Sequence, residues 1–216
     1  MPIATRTILI DGPVGPIETL VDVPDGYRGL ALVAHPHPLL GGTNNNKVAY
    51  TLAHGLRDLG YLTLRPNFRG VGKTAGTHDQ GQGETEDLLA VLDHATSEFA
   101  NGHSLPIVLA GFSFGAFVQT RVSRRLAQRG RPASHLVLAG LATGRPGDSW
   151  PYTPEPAPAN TILIHGERDL TVPLGNVTAY AEPLGLTVKV IPGADHFFHG
   201  RLQLIRDILR EHVQSP

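Results

Sequence analysis

The sequence predicts one α/β domain over residues 1–216, with a mostly parallel sheet covered by helices on both faces. Apolar runs of strand length alternate with segments of helical periodicity, the order that builds a parallel sheet. The runs at 29–35 and 106–110 are continuously apolar, as strands covered on both faces are. At 216 residues the chain is long enough for one α/β core that buries about 70% of the surface exposed when unfolded.

Residues 5–10 and 17–23, separated by Asp11-Gly12-Pro13 and closed by Pro24-Asp25-Gly26, read as a hairpin at the sheet edge. The strand 29–35 leads into a long loop, 36–46. Residues 47–59 then carry Val48, Leu52, Leu56 and Leu59 at helical spacing and stop at Gly60. A strand at 61–64 is followed by a glycine-rich polar loop and a helix over 85–99, acidic in its first turn as the helix dipole favours. After the strand 106–110 come a helix at 114–129, closed by Gly130, and a strand at 135–138. Residues 143–160 contain five prolines, which predicts an irregular loop and no helical cap domain. A strand at 161–165, a short helix near 176–181, a strand at 187–191 and a helix at 202–212 complete the chain.

Formal net charge is −1, and no long run of one sign occurs, so neither nucleic acid nor an anionic membrane is expected as a partner. The chain has no cysteine, which removes disulfides, thiolate metal sites and a cysteine nucleophile together. No stretch approaches the roughly 18 apolar residues of a membrane helix. The apolar run at 7–10 is too brief for a signal-peptide core, so a cytoplasmic location is expected.

The chemistry centres on Gly111-Phe112-Ser113-Phe114-Gly115, a Gly-x-Ser-x-Gly pattern between a buried strand and a helix. A serine at such a reversal needs small flanking residues, because the backbone doubles back where a Cβ would collide. The turn also presents the Phe114 N–H to a developing oxyanion. Ligands of a parallel sheet sit outside the carboxyl ends of the strands, so the loops after later strands supply the partners. Asp169 follows the strand 161–165 and His196 follows 187–191. The order Ser113, Asp169, His196 matches a serine nucleophile with a histidine base and an orienting carboxylate. Asp148 is the main rival acid. Glu167 and Asp195 are weaker ones, since a side chain adjoining His196 points elsewhere.

A second oxyanion donor is expected from the loop after residue 35. Pro36 and Pro38 carry no N–H, leaving His37 and Leu39, with Leu39 preferred because Gly41 and Gly42 let the backbone turn beside it. Leu39, Leu40, Trp150, Tyr152 and Phe197 are candidates for an acyl pocket. Arg69 reads as a loop arginine paired with a carboxylate such as Glu84. His35-x-His37 lacks the further ligands of a metal site, and Gly72-Lys73-Thr74 lacks the earlier glycine of a phosphate-binding loop. No metal or other cofactor is expected.

Five stretches together resemble the small, lidless bacterial members of the α/β-hydrolase superfamily over nearly the whole chain. They are His35-Pro36-His37-Pro38 with Gly41-Gly42-Thr43, Asn67-Phe68-Arg69-Gly70-Val71-Gly72, the serine pentapeptide, His165-Gly166-Glu167-Arg168-Asp169, and Gly193-Ala194-Asp195-His196-Phe197-Phe198. The resemblance implies an α/β-hydrolase fold with an eight-stranded sheet, carboxylic-ester hydrolysis, and catalytic roles for Ser113, Asp169 and His196. Lys73-Thr74 is a departure, since related hydrolases often have a serine there. The expected activity is a serine esterase acting on small-molecule substrates with short or exposed acyl groups. Thioesterase and aminopeptidase or amidase activities are the enzymatic alternatives, and a non-catalytic binding protein on the same scaffold is the third.

Overall fold

The computed structural model describes residues 5–100, 104–144 and 152–214. Its centre is an eight-stranded sheet in the order β1-β2-β4-β3-β5-β6-β7-β8. The strands are β1 (Thr5–Gly12), β2 (Gly15–Asp22), β3 (Gly29–Ala34), β4 (Tyr61–Pro66), β5 (Ile107–Phe112), β6 (His135–Ala139), β7 (Thr161–Gly166) and β8 (Thr187–Ile191). β3 to β8 run parallel, and β2 joins β4 antiparallel. The helices are α1 (Lys47–Asp58), α2 (Gln82–Phe99), α3 (Phe114–Gln128), α4 (Leu174–Ala181) and α5 (Leu202–Gln214).

The continuous apolar runs resolve into two alternating faces, as a period of two requires. Leu30 and Leu32 of β3, with Leu109 and Leu138 of the neighbouring strands, pack beneath Leu88 and Leu92 of α2 and Val118 and Val122 of α3. Ala31 and Val33, with Val108, Val137 and Ile164, face α1 and α5 through Leu52, Leu56, Ile205 and Leu209. Both faces are dry, so every strand from β3 to β7 is buried along nearly its whole length. β4 lies on one side of β3 and β5 on the other. The loops leaving β3 and β5 therefore emerge side by side at the point where the strand order reverses, with Ala34 opposite Gly111.

Several boundaries differ from the sequence reading. β1 continues through Asp11-Gly12 and β2 begins at Gly15, so the turn falls on Pro13-Val14, with Gly12 and Gly15 paired across the hairpin. α2 begins at Gln82, three residues early. Gly81, at φ 95°, turns the chain, and the buried Glu84 carboxylate accepts the N–H groups of Asp79 (2.9 Å) and Gly81 (2.8 Å). α4 begins at Leu174, two residues early. No helix occurs in the described parts of 143–160, where Gly144 N–H donates to Tyr152 O at 3.1 Å. Asp148 and Trp150 lie outside the described residues. Among the described residues there is no cap domain. Among the described residues no helix is long and apolar enough to cross a membrane.

The reversal from β5 into α3 leaves no room at either flank. A Cβ on Gly111 would lie 2.5 Å from Gly115 O and 2.6 Å from Ala116 N. Gly111→Ala is therefore expected to destabilise the fold by roughly 2–3 kcal/mol, since the obstructing atoms are backbone. Gly175, in α4 with nothing within 4 Å of its Cβ position, is the control. Gly175→Ala should stabilise by about 0.5 kcal/mol through helix propensity. Urea unfolding of both variants checks the contrast.

Candidate active site

Ser113 sits between β5 and α3 at φ 55°, ψ −118°. A non-glycine residue at such angles stores on the order of 1–3 kcal/mol and persists only where its surroundings hold it. Three backbone bonds do so: Ser113 N–H to Ala139 O (2.9 Å), and the N–H groups of Phe117 (3.1 Å) and Ala142 (3.2 Å) to Ser113 O. A Cβ on Gly115 would come within 2.4 Å of the carbonyl oxygens of Ala34 and His35, so the start of α3 rests directly on the end of β3.

The structure brings Ser113, His196 and Asp169 together. His196 Nε2 is 3.0 Å from Ser113 Oγ, and its Nδ1 is 2.6 Å from Asp169 Oδ2. A carboxylate accepts only, so Nδ1 carries the proton and Nε2 offers its lone pair to the serine hydroxyl. Asp169 is fixed by its own loop, where Oδ1 accepts the N–H groups of Thr171 (2.9 Å) and Val172 (2.8 Å). Arg168 N–H donates to Ala194 O at 2.9 Å, tying the acid loop to the histidine loop. The His196 ring packs on Phe112, with centroids 5.0 Å apart. All three side chains are buried, Ser113 least so at 9% exposure.

The rival acids near His196 point elsewhere. Asp195 bonds His199, through Oδ1 to its N–H (3.1 Å) and Oδ2 to its Nδ1 (2.6 Å). Glu167 Oε2 accepts the Gly193 N–H at 2.7 Å. Arg69 is paired, as the sequence suggests, but with Asp87 and not Glu84. Its Nε and Nη2 reach the two Asp87 oxygens at 2.7 and 3.0 Å. That bond raises the guanidinium pKa, and Glu84 is already engaged at the start of α2.

Phe114 opens α3, where a backbone N–H has no helical acceptor. The preference for Leu39 as second donor does not match the geometry. Pro38–Leu40 forms a single 3₁₀ turn, in which Leu39 N–H donates to His37 Nδ1 at 3.3 Å and the side chain stands 71% exposed. Gly42 does make the turn possible, since a Cβ there would lie 2.2 Å from Pro36 O. The turn sends Leu39 outward, while His37 lines the cavity that also holds Ser113. A cavity of about 180 Å³ opens over Ser113, with His37, Leu40, Phe114, Tyr152, Val172 and Phe197 among its lining residues. Leu39 is not among them. His37 Nε2 bonds Tyr152 Oη at 2.8 Å, and burial followed by neighbouring His78 lowers the His37 pKa.

No family model matches the chain. It is 33% identical to an uncharacterized protein of Rickettsia prowazekii, over 95% of this chain and 87% of that one. An α/β serine hydrolase homologue from Coxiella burnetii is 37% identical, with a TM-score of 0.82 over 96% of this chain and 97% of its own. A serine hydrolase without a lid from Xanthomonas campestris is 32% identical, with a TM-score of 0.84 over 100% and 99% of the two chains.

The sequence reading missed His35 as a site element. At the end of β3, its Nδ1–H donates to Pro36 O (2.7 Å) and its Nε2 accepts the Phe68 N–H (2.9 Å), pinning the loop that carries His37. The available signal was a polar residue ending a buried strand. Burial pushes the His35 pKa from 6.5 down to about 4. The unfolded chain therefore takes up this proton at higher pH than the folded one. Its contribution is complete above pH 6.5 and is lost as pH falls from there towards 4. The loss amounts to roughly 3 kcal/mol. Urea unfolding at pH 7 and pH 4.5 should record the drop, and His35→Asn should reduce it. An unchanged pH dependence in His35→Asn would remove His35 as its source.

Proposed function

The chain belongs to the α/β-hydrolase superfamily and is a hydrolase, and we propose that it cleaves carboxylic esters of short or exposed acyl groups through an acyl-serine intermediate. The observation that carries this reading is the unbroken relay from Asp169 Oδ2 through His196 to Ser113 Oγ, opening on the cavity.

Serine oxygen is a weak nucleophile until a base takes its proton as the bond forms. Ser113 Oγ attacks the ester carbonyl carbon while His196 Nε2 accepts the hydroxyl proton. Asp169 stabilises the resulting imidazolium and holds its tautomer without taking the proton. The tetrahedral oxyanion is met by the Phe114 N–H and by the backbone N–H of His37, the remaining candidate in a loop where Leu39 faces away. Collapse expels the alkoxide, which takes the proton from His196. Water then attacks the acyl-serine, losing its proton to His196, and the second tetrahedral intermediate collapses with release of the acid as His196 returns that proton to Ser113 Oγ.

Cavity size supports the substrate class. About 180 Å³ falls below the roughly 300–1,000 Å³ of pockets for drug-sized ligands. Leu40, Tyr152, Val172 and Phe197 offer apolar contact to a short acyl chain, and with no cap domain among the described residues the alcohol side is left open.

A fluorophosphonate probe should label wild-type protein at Ser113 and leave Ser113→Ala unlabelled, as located by mass spectrometry. Ser113→Ala should also lose roughly 10³-fold or more in kcat. p-Nitrophenyl acetate and butyrate should turn over faster than the decanoate, and faster than matched thioesters and aminoacyl amides. A folded wild-type protein that neither labels nor hydrolyses would overturn the hydrolytic reading. A preference for decanoate would overturn the short-acyl one.

A further inference from the structure

A second histidine lies behind the relay, and the mechanism above does not use it. His165 is the next-to-last residue of β7 and is fully buried. Its Nε2 is 2.9 Å from Val172 O, an atom that only accepts, so Nε2 carries the ring proton. Nδ1 is then the unprotonated nitrogen, and among the described residues it has no hydrogen-bond partner. The same Nε2 lies 3.4 Å from Asp169 Oδ2, the oxygen that also receives His196 Nδ1. That separation is too long for a strong hydrogen bond, but it sets the N–H that Val172 O receives beside the carboxylate oxygen.

The contacts close a ring. Val172 N–H donates to Asp169 Oδ1, and Val172 O receives His165 Nε2–H. Both backbone polar groups of Val172 are thereby engaged, one by the carboxylate and one by the imidazole. Rotation of the carboxylate away from His196 would have to break the first bond, and displacement of the loop would break the second. The titratable groups facing the ring are Asp169 and His196. A neutral donor suits this position, because a cation there would satisfy Asp169 in competition with His196. Burial disfavours the cation, lowering the His165 pKa.

We propose that His165 is a positioning residue: its neutral Nε2–H, bonded to Val172 O and facing Asp169 Oδ2, keeps the Asp169 carboxylate aimed at His196. The inference rests on the serine-hydrolase reading above. His165 acts through Asp169 and touches no substrate.

The test compares wild type, His165→Gln and His165→Leu on p-nitrophenyl acetate, with active sites counted by fluorophosphonate labelling and folding checked by thermal unfolding. The glutamine amide nitrogen reaches the place of Nε2, so His165→Gln should keep kcat within about threefold. His165→Leu loses the donor and should lose roughly 10-fold or more in kcat per labelled site, with KM little changed, since small displacements of a catalytic group are costly. The acid limb of its kcat/KM profile should move to lower pH, because a misaimed carboxylate no longer supports the His196 imidazolium. Loss of folded protein alone would reduce the labelled fraction and move neither kcat per site nor that limb. If His165→Leu does not fold, His165→Asn replaces it, as its shorter amide reaches the Nδ1 position and should fail where glutamine succeeds. Wild-type kcat and pH profile in a folded variant without the donor would overturn the proposal, as would a glutamine variant as impaired as leucine. A wild type that neither labels nor turns over would overturn the hydrolase reading and this one together.

Discussion

The reversal of the backbone at Ser113 is the constraint on which the other parts of the site depend. Its φ of 55° is tenable because Gly111 and Gly115 have no side chain to meet the chain folding back on itself. The close approach of Gly115 to Ala34 O and His35 O locks α3 onto the end of β3. That contact fixes where the loop after β3 begins, and so where the His37 backbone lies relative to the serine oxygen. One turn thus sets the Ser113 side chain, the first helical N–H and the neighbouring loop at once. Strain at the turn is balanced by hydrogen bonds to Ala139, Phe117 and Ala142, two of them on residues of β6 and the loop that follows it.

Asp169 poses the complementary problem of a buried charge. Removing a carboxylate from water is costly unless its lone pairs are satisfied. Here the N–H groups of Thr171 and Val172 take one oxygen, while the other faces His196 and, at longer range, His165. These bonds hold the carboxylate oriented towards the His196 ring. The arrangement spans three loops, and backbone bonds between the acid and histidine loops hold their spacing.

Two buried histidines, His35 just after β3 and His165 next to last in β7, lead into the loops that carry His37 and Asp169. Each donates one ring N–H to a carbonyl of the loop that follows, Pro36 O and Val172 O. A strand end has to turn sharply away from the sheet while its buried carbonyls remain bonded. Imidazole suits that position because it is compact and neutral when buried, and reaches further than a hydroxyl. Neither residue follows from a motif for chemistry, since the signal is only a polar side chain closing an apolar run.

The sequence by itself determined the layered fold, the serine turn and the identity of its partners. Continuously apolar runs of strand length separated by helical stretches, glycines at 111 and 115, and acid and base directly after successive strands are local patterns, legible without knowing what packs on what. Loop conformation was not legible in the same way. Leu39 and His37 both carry an N–H, and only the 3₁₀ turn at Pro38–Leu40, closed by the approach of Gly42 to Pro36 O, decides that Leu39 faces outward. Likewise Arg69 had several carboxylates within reach in sequence, and the choice of Asp87 followed from Glu84 being taken up by the N–H groups of Asp79 and Gly81. Backbone periodicity is a property of neighbouring residues. The partner of a given polar group depends on which competing donors and acceptors the assembled fold has already satisfied, and that is settled only in three dimensions.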